Sequence, residues 1–183
     1  MARSSLYILS LLLFVITSCG ELSEYDSLQV KEALADSLLN TTESWNMNMI
    51  LVDEGTTLLK LRGSRSVTIK ESTRNETRIS GPVFIEIFKD TGELKSTVVC
   101  DSAFYLPDDA TFEMFGNVLV TTEDGKKLSS SYLKWERKKD MVSTPEFVTF
   151  VSPPDSIAAN GFIGNTELTS YILNEGGGTT VID

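Results

Sequence analysis

Two thiols, many carboxylates and no imidazole are the side chains from which this chain could build chemistry. With no histidine there is no Ser-His-Asp triad and no imidazole base, and most zinc sites lose a ligand. The carboxylates gather in turn-like stretches, as at Glu54, Asp108-Asp109 and Glu123-Asp124. They read as solvated turn residues, because no spacing singles out the convergent pair that glycoside hydrolysis needs. No calcium loop of the D-x-D-x-D-G kind is present. Cys100 closes the strand-like run LKSTVVC and reads as a small buried hydrophobe. The chain is therefore expected to be non-catalytic and to need no cofactor or metal. Cys19 remains as the one side chain with a chemical role.

Cys19 ends a distinctive N-terminus. Arg3 supplies a positive start, residues 6–17 are apolar apart from Ser10 and Thr17, and small Ser18 precedes the thiol. Twelve residues are too few for a membrane-spanning helix, which needs about 20, but they suit a secretory signal. Ile16-Thr17-Ser18-Cys19 has the pattern of a bacterial lipobox, in which cleavage leaves the cysteine first and a lipid on its sulfur. Residues 1–18 are thus expected to be a lipoprotein signal peptide. Lipidation of Cys19 would leave Cys100 without a disulfide partner.

Loss of residues 1–18 removes Arg3, so 15 Lys and Arg face 26 Asp and Glu, a net charge of −11. This is the wrong sign for nucleic acid and for broad adhesion to anionic membranes. Residues 19–44 are polar and acidic, with one weakly amphipathic stretch, SLQVKEALADSLL. They are expected to form a lipidated tether, and the segment after Cys19 would reach roughly 80 Å if fully extended.

From Trp45 onward the apolar residues alternate with period 2 between turn signals. About nine strands follow at intervals of 8–14 residues, with turns at Asp53-Glu54-Gly55, Asp90-Thr91-Gly92 and Asp124-Gly125, and a break at Pro153-Pro154. Such spacing predicts an antiparallel sandwich, jelly roll or barrel over residues 45–174, with residues 175–183 as a flexible tail. Pro145 marks its strand as bulged or at an edge. A weak repeat of about 30 residues, visible in DTGELKSTVVCDSAFY and EDGKKLSSSYLKW, suits hairpins stacked along an axis.

The alternation assigns one face to Met47 and Met49, one to Val83, Ile85 and Ile87, and one to Phe112, Met114, Val118 and Val120. Taken alone, these faces would simply pack a core. Their context suggests more. WNMNMILVDEG, SGPVFIEIFKDTGELKSTVVCDSAFY, MFGNVLVTTEDGKKLSSSYLKW, DMVSTPEFVTF and DSIAANGFIGNTEL together resemble the LptC family, across residues 45–173. Gly116-Asn117-Val118, Asp124-Gly125, Leu128, Leu133-Lys134-Trp135 and Gly161-Phe162 carry the resemblance most specifically.

The resemblance implies an all-β, twisted, partly open antiparallel jelly roll. It also implies a periplasmic function: accepting lipopolysaccharide from the jelly rolls of an LptF/LptG-type inner-membrane transporter and passing it to an LptA-like bridge. The nine residues assigned to inner faces would then line an apolar groove for acyl chains. The family's head-to-tail order implies an open edge around residues 161–173 for the bridge, with the strands after Trp45 towards the transporter. Well-known members are anchored by a transmembrane helix, whereas this chain has a lipobox, so a lipid anchor in the inner membrane is expected. Two readings compete: a structural or interaction β-sandwich lipoprotein with a filled core, and a secreted carbohydrate-active enzyme.

Overall fold

The computed structural model describes residues 40–71 and 75–179. Ten strands run as β1 (Asn40–Asp53), β2 (Thr56–Lys70), β3 (Asn75–Phe88), β4 (Leu94–Leu106), β5 (Thr111–Thr122), β6 (Lys127–Glu136), β7 (Met141–Ser152), β8 (Asp155–Asn165), β9 (Tyr171–Leu173) and β10 (Gly177–Thr179). One 3₁₀ turn, Arg137–Lys139, joins β6 to β7. Each of the first eight strands pairs antiparallel with the next in sequence, and β9 and β10 both pair with β8. β1 has a single partner, so the sheet does not close into a barrel. This is the all-β, partly open antiparallel roll that the alternation and the resemblance led us to expect.

A sheet of strands this long must fold over itself to bury an apolar face. The bend is made along one line. The register shifts at Arg62/Arg65, Ser80/Val83, Val99/Ser102, Phe115/Val118, Ser130/Lys134 and Thr144/Phe147 form a seam across the whole sheet. Gly63, Gly81-Pro82, Gly116-Asn117, Pro145 and Gly161 lie at this seam and suit a bend. β-bulges bend and twist strands in this way, and glycine admits backbone approaches that a Cβ forbids. A Cβ on Gly81 would lie 2.1 Å from the Asp101 carbonyl oxygen. Gly116 (φ +70°) and Asn117 (φ +45°) are both left-handed, and the Asn117 amide donates to Asp101 at 2.8 Å.

The seam divides the sheet into two limbs. One contains residues 47–62, 83–99, 118–130 and 147–160; the other contains 40–45, 65–70, 75–80, 102–115, 134–144 and 162–165. Their inner faces share a single apolar cluster that includes Leu59, Ile85 and Phe150 from the first limb and Ile79, Phe112 and Phe162 from the second. Side chains buried to this extent contribute roughly 1.5–3 kcal/mol each.

Four boundaries differ from expectation. β1 begins at Asn40, not Trp45, and Thr41, Thr42 and Glu43 pair with Ile69, Thr68 and Val67. Backbone pairing and a Glu43–Arg65 ion pair hold this polar stretch, which carries no apolar alternation. Gly177–Thr179, assigned to a flexible tail, forms β10 against Ser156–Ala158. ELTSYIL is not one strand, since only Tyr171–Leu173 is extended, after a turn in which the Asn165 side chain accepts from the Thr169 and Ser170 amides. Pro145 lies in β7, an interior strand, and is accommodated by the seam bulge rather than by an edge. The signal peptide, Cys19, the amphipathic stretch and the tether up to residue 39 lie outside the described residues.

Candidate functional site

The residues assigned to the groove share the interior. Val83, Ile85, Ile87, Phe112, Met114, Val118 and Val120 are all buried, and Met47 and Met49 are half-buried against them. The faces therefore agree with the period-2 reading on both sides of the seam. The parity survives in β5 because two residues, Gly116 and Asn117, are left out of the pairing together. Sequence reasoning did not name Leu59, Leu61, Leu128, Val148, Phe150 and Phe162, which are equally buried. The same alternation in TLLKL and EFVTF marks several of them.

The interior is tightly filled. Phe112 stacks between Tyr105 and Trp135, with ring centroids 4.4 and 5.3 Å away. A cavity of about 10 Å³ lies between the limbs, lined by Ile87, Ser96, Val98, Val120, Met114, Leu133, Trp135, Val142 and Thr166. That is room for about one water. The expected groove residues are thus present on an apolar inner face, packed against one another.

Away from the seam the limbs meet at a polar clasp. Lys95 Nζ lies 2.7 Å from Asp140 Oδ2, and the Thr166 hydroxyl donates to the same carboxylate. Asp140 is presented by its left-handed backbone (φ 48°) at the end of the 3₁₀ turn. Lys89 sits 3.6 Å from Glu123 and 3.9 Å from Glu167. Partly exposed pairs of this kind are worth only about 0–1 kcal/mol each. The clasp is therefore a far weaker tie than the core beneath it.

The edges are apolar on the outside. Among the described residues, nine large hydrophobic side chains are exposed, and six of them belong to the two ends of the sheet. Trp45, Ile50 and Val52 are on β1; Ile163, Tyr171 and Ile172 are on β8 and β9. β1 offers a 14-residue edge with one side unpaired, whereas β8 is covered by two three-residue strands. The open edge expected around residues 161–173 is thus reduced to β9 and β10.

The thiol and carboxylates match their sequence readings. Burial pushes the Cys100 thiol up to about 11, and it donates to the Ser102 carbonyl at 3.3 Å, so it is a packing residue and not a nucleophile. Hydrogen bonds from Lys126 and Thr122 hold Asp124 down to about 2, which suits a turn carboxylate and not a general acid. Among the described residues no helix is long and apolar enough to cross a membrane.

A family model for lipopolysaccharide assembly, LptC-related, matches residues 7–176. No curated protein matches the chain.

Proposed function

Because the chain belongs to the LptC-related family of lipopolysaccharide-assembly proteins, we propose that it carries lipopolysaccharide acyl chains between the two limbs of its roll. The family is a non-enzymatic, periplasmic component of lipopolysaccharide transport. In this reading the transporter's jelly rolls supply the lipid and an LptA-like bridge receives it. The observation that supports it best is the single apolar interior shared by both limbs, closed on its open side by weak polar contacts. Exposing a chain of about a dozen methylenes to water costs roughly 10 kcal/mol. A lipid offered to the interior can therefore outcompete a clasp worth about 1 kcal/mol. The unpaired side of β1 is suited to strand addition by a transporter roll, and β9 with β10 to a shorter contact with the bridge.

A photoreactive residue at Ile85 or Met114 should crosslink to lipopolysaccharide in transport-active cells, and one at Glu86 or Glu113 should not. Circular dichroism first establishes that each variant folds. The tight packing favours one rival reading, a structural lipoprotein with a permanently filled core. Failure of both interior positions to label, in folded variants, would establish that rival.

Anchoring is a separate part of the proposal. Cys19 is the only thiol near the signal and would carry a lipid into the inner membrane. Cys19→Ser should abolish processing at this site and leave an immature or mislocalised chain. Mass spectrometry of the mature N-terminus checks it, and an unlipidated terminus other than Cys19 would rule the anchor out.

A further inference from the structure

Two buried polar atoms in the interior have no partner: Ser96 Oγ and Trp135 Nε1. Ser96 is 0% and Trp135 3% exposed, and both residues line the same 10 Å³ cavity between the limbs. Buried donors and acceptors are nearly always satisfied, and leaving one unmade is costly. We propose that this cavity seats one hydrogen-bond-accepting oxygen of the lipid, an acyl-ester carbonyl or a chain hydroxyl, held by the Trp135 indole N–H and the Ser96 hydroxyl. The inference rests on the reading that lipid occupies the interior.

The chemistry is specific. An indole N–H can only donate, and a serine hydroxyl can donate as well, so an oxygen with two lone pairs satisfies both. The size admits one oxygen-bearing group and excludes a headgroup. The position fits the same end of the molecule. Ser96 adjoins Lys95 of the clasp, and Thr166 both walls the cavity and bonds Asp140. The site is therefore just inside the rim. A lipid whose chain passes inward along Met114 and Val120 and whose headgroup stays outside places its polar linkage at that depth.

The test uses the full chain with ¹⁵N-labelled tryptophan and purified lipopolysaccharide as the probe. The chain has two tryptophans, and Trp45, 68% exposed, serves as the reference signal. The Trp135 indole proton should move downfield and become protected from exchange on titration. Ser96→Ala and Trp135→Phe should each weaken lipopolysaccharide binding about 2- to 13-fold, the range for one net hydrogen bond. Ser96→Ala removes an unpartnered hydroxyl, so the free protein should melt at the same temperature or higher. Lower affinity with undiminished stability is a combination that a purely structural role does not produce.

If lipopolysaccharide crosslinks to Met114 but Trp135 does not respond and Ser96→Ala binds normally, this seat is refuted and the transport reading stands. The seat is refuted in the same way if the Trp135 proton is protected before lipid is added and stays unchanged afterwards, since the occupant is then a resident water. If no interior position crosslinks and no binding is measured, both readings fall.

Discussion

Phe112→Ala should lower the unfolding free energy by about 3–5 kcal/mol, the range for deleting a fully buried aromatic ring. Phe112 is 0% exposed and is sandwiched between Tyr105 and Trp135. Deletion forfeits the transfer energy of the ring and two aromatic contacts, each worth roughly 0.5–1.5 kcal/mol. Cross-strand pairing fixes both neighbours, Tyr105 on β4 and Trp135 on β6, so the site cannot collapse easily and the cavity persists. Urea denaturation of native protein and variant gives the difference directly. A loss below about 1 kcal/mol would mean that the interior is loosely packed, contrary to the stacking of these three rings. Phe112→Leu, which keeps most of the volume, should lose much less.

Gly81→Ala should cost about 3 kcal/mol, at the upper end for overpacking. The added Cβ would sit 2.1 Å from the Asp101 carbonyl oxygen and 2.8 Å from its carbonyl carbon. Both atoms are backbone, held by the β3–β4 ladder on either side of the seam. No side-chain rotation relieves the clash, so the seam itself must shift. Gly177→Ala is the control. Nothing lies within 4 Å of its Cβ position, and its cost should stay within about 0.5 kcal/mol. Thermal melts of the two variants separate the outcomes. If Gly81→Ala melts with the native protein, the close approach at the seam is not what shapes the roll.

These two positions differ in how they stand in the sequence. Phe112 is legible from pattern, because Phe112, Met114, Val118 and Val120 alternate in one run. Gly81 is visible as a glycine before a proline, but not as a bend. Its meaning depends on Asp101, a strand away, and on the neighbouring strands bending along the same line. The strand starting at Asn40 was hidden for a related reason. Its polar residues are held by backbone pairing to β2, and hydrogen bonds between main chains leave no mark on hydropathy.

Alternation with period 2 was enough, by itself, to determine that this chain is all-β, that its strands are antiparallel hairpins, and which face of β3 and β5 turns inward. A one-residue error would have exposed every apolar side chain, so the pattern has a single low-energy solution. The order of landmarks also identified the family. The tertiary structure alone decided the seam, the clasp and the unpartnered pair Ser96 and Trp135. Each joins residues far apart in the chain: Lys95 with Asp140, Ser96 with Trp135, Gly81 with Asp101. Such meetings follow from how far the sheet bends, and the bend is a sum of small rotations over successive strands that no local pattern encodes.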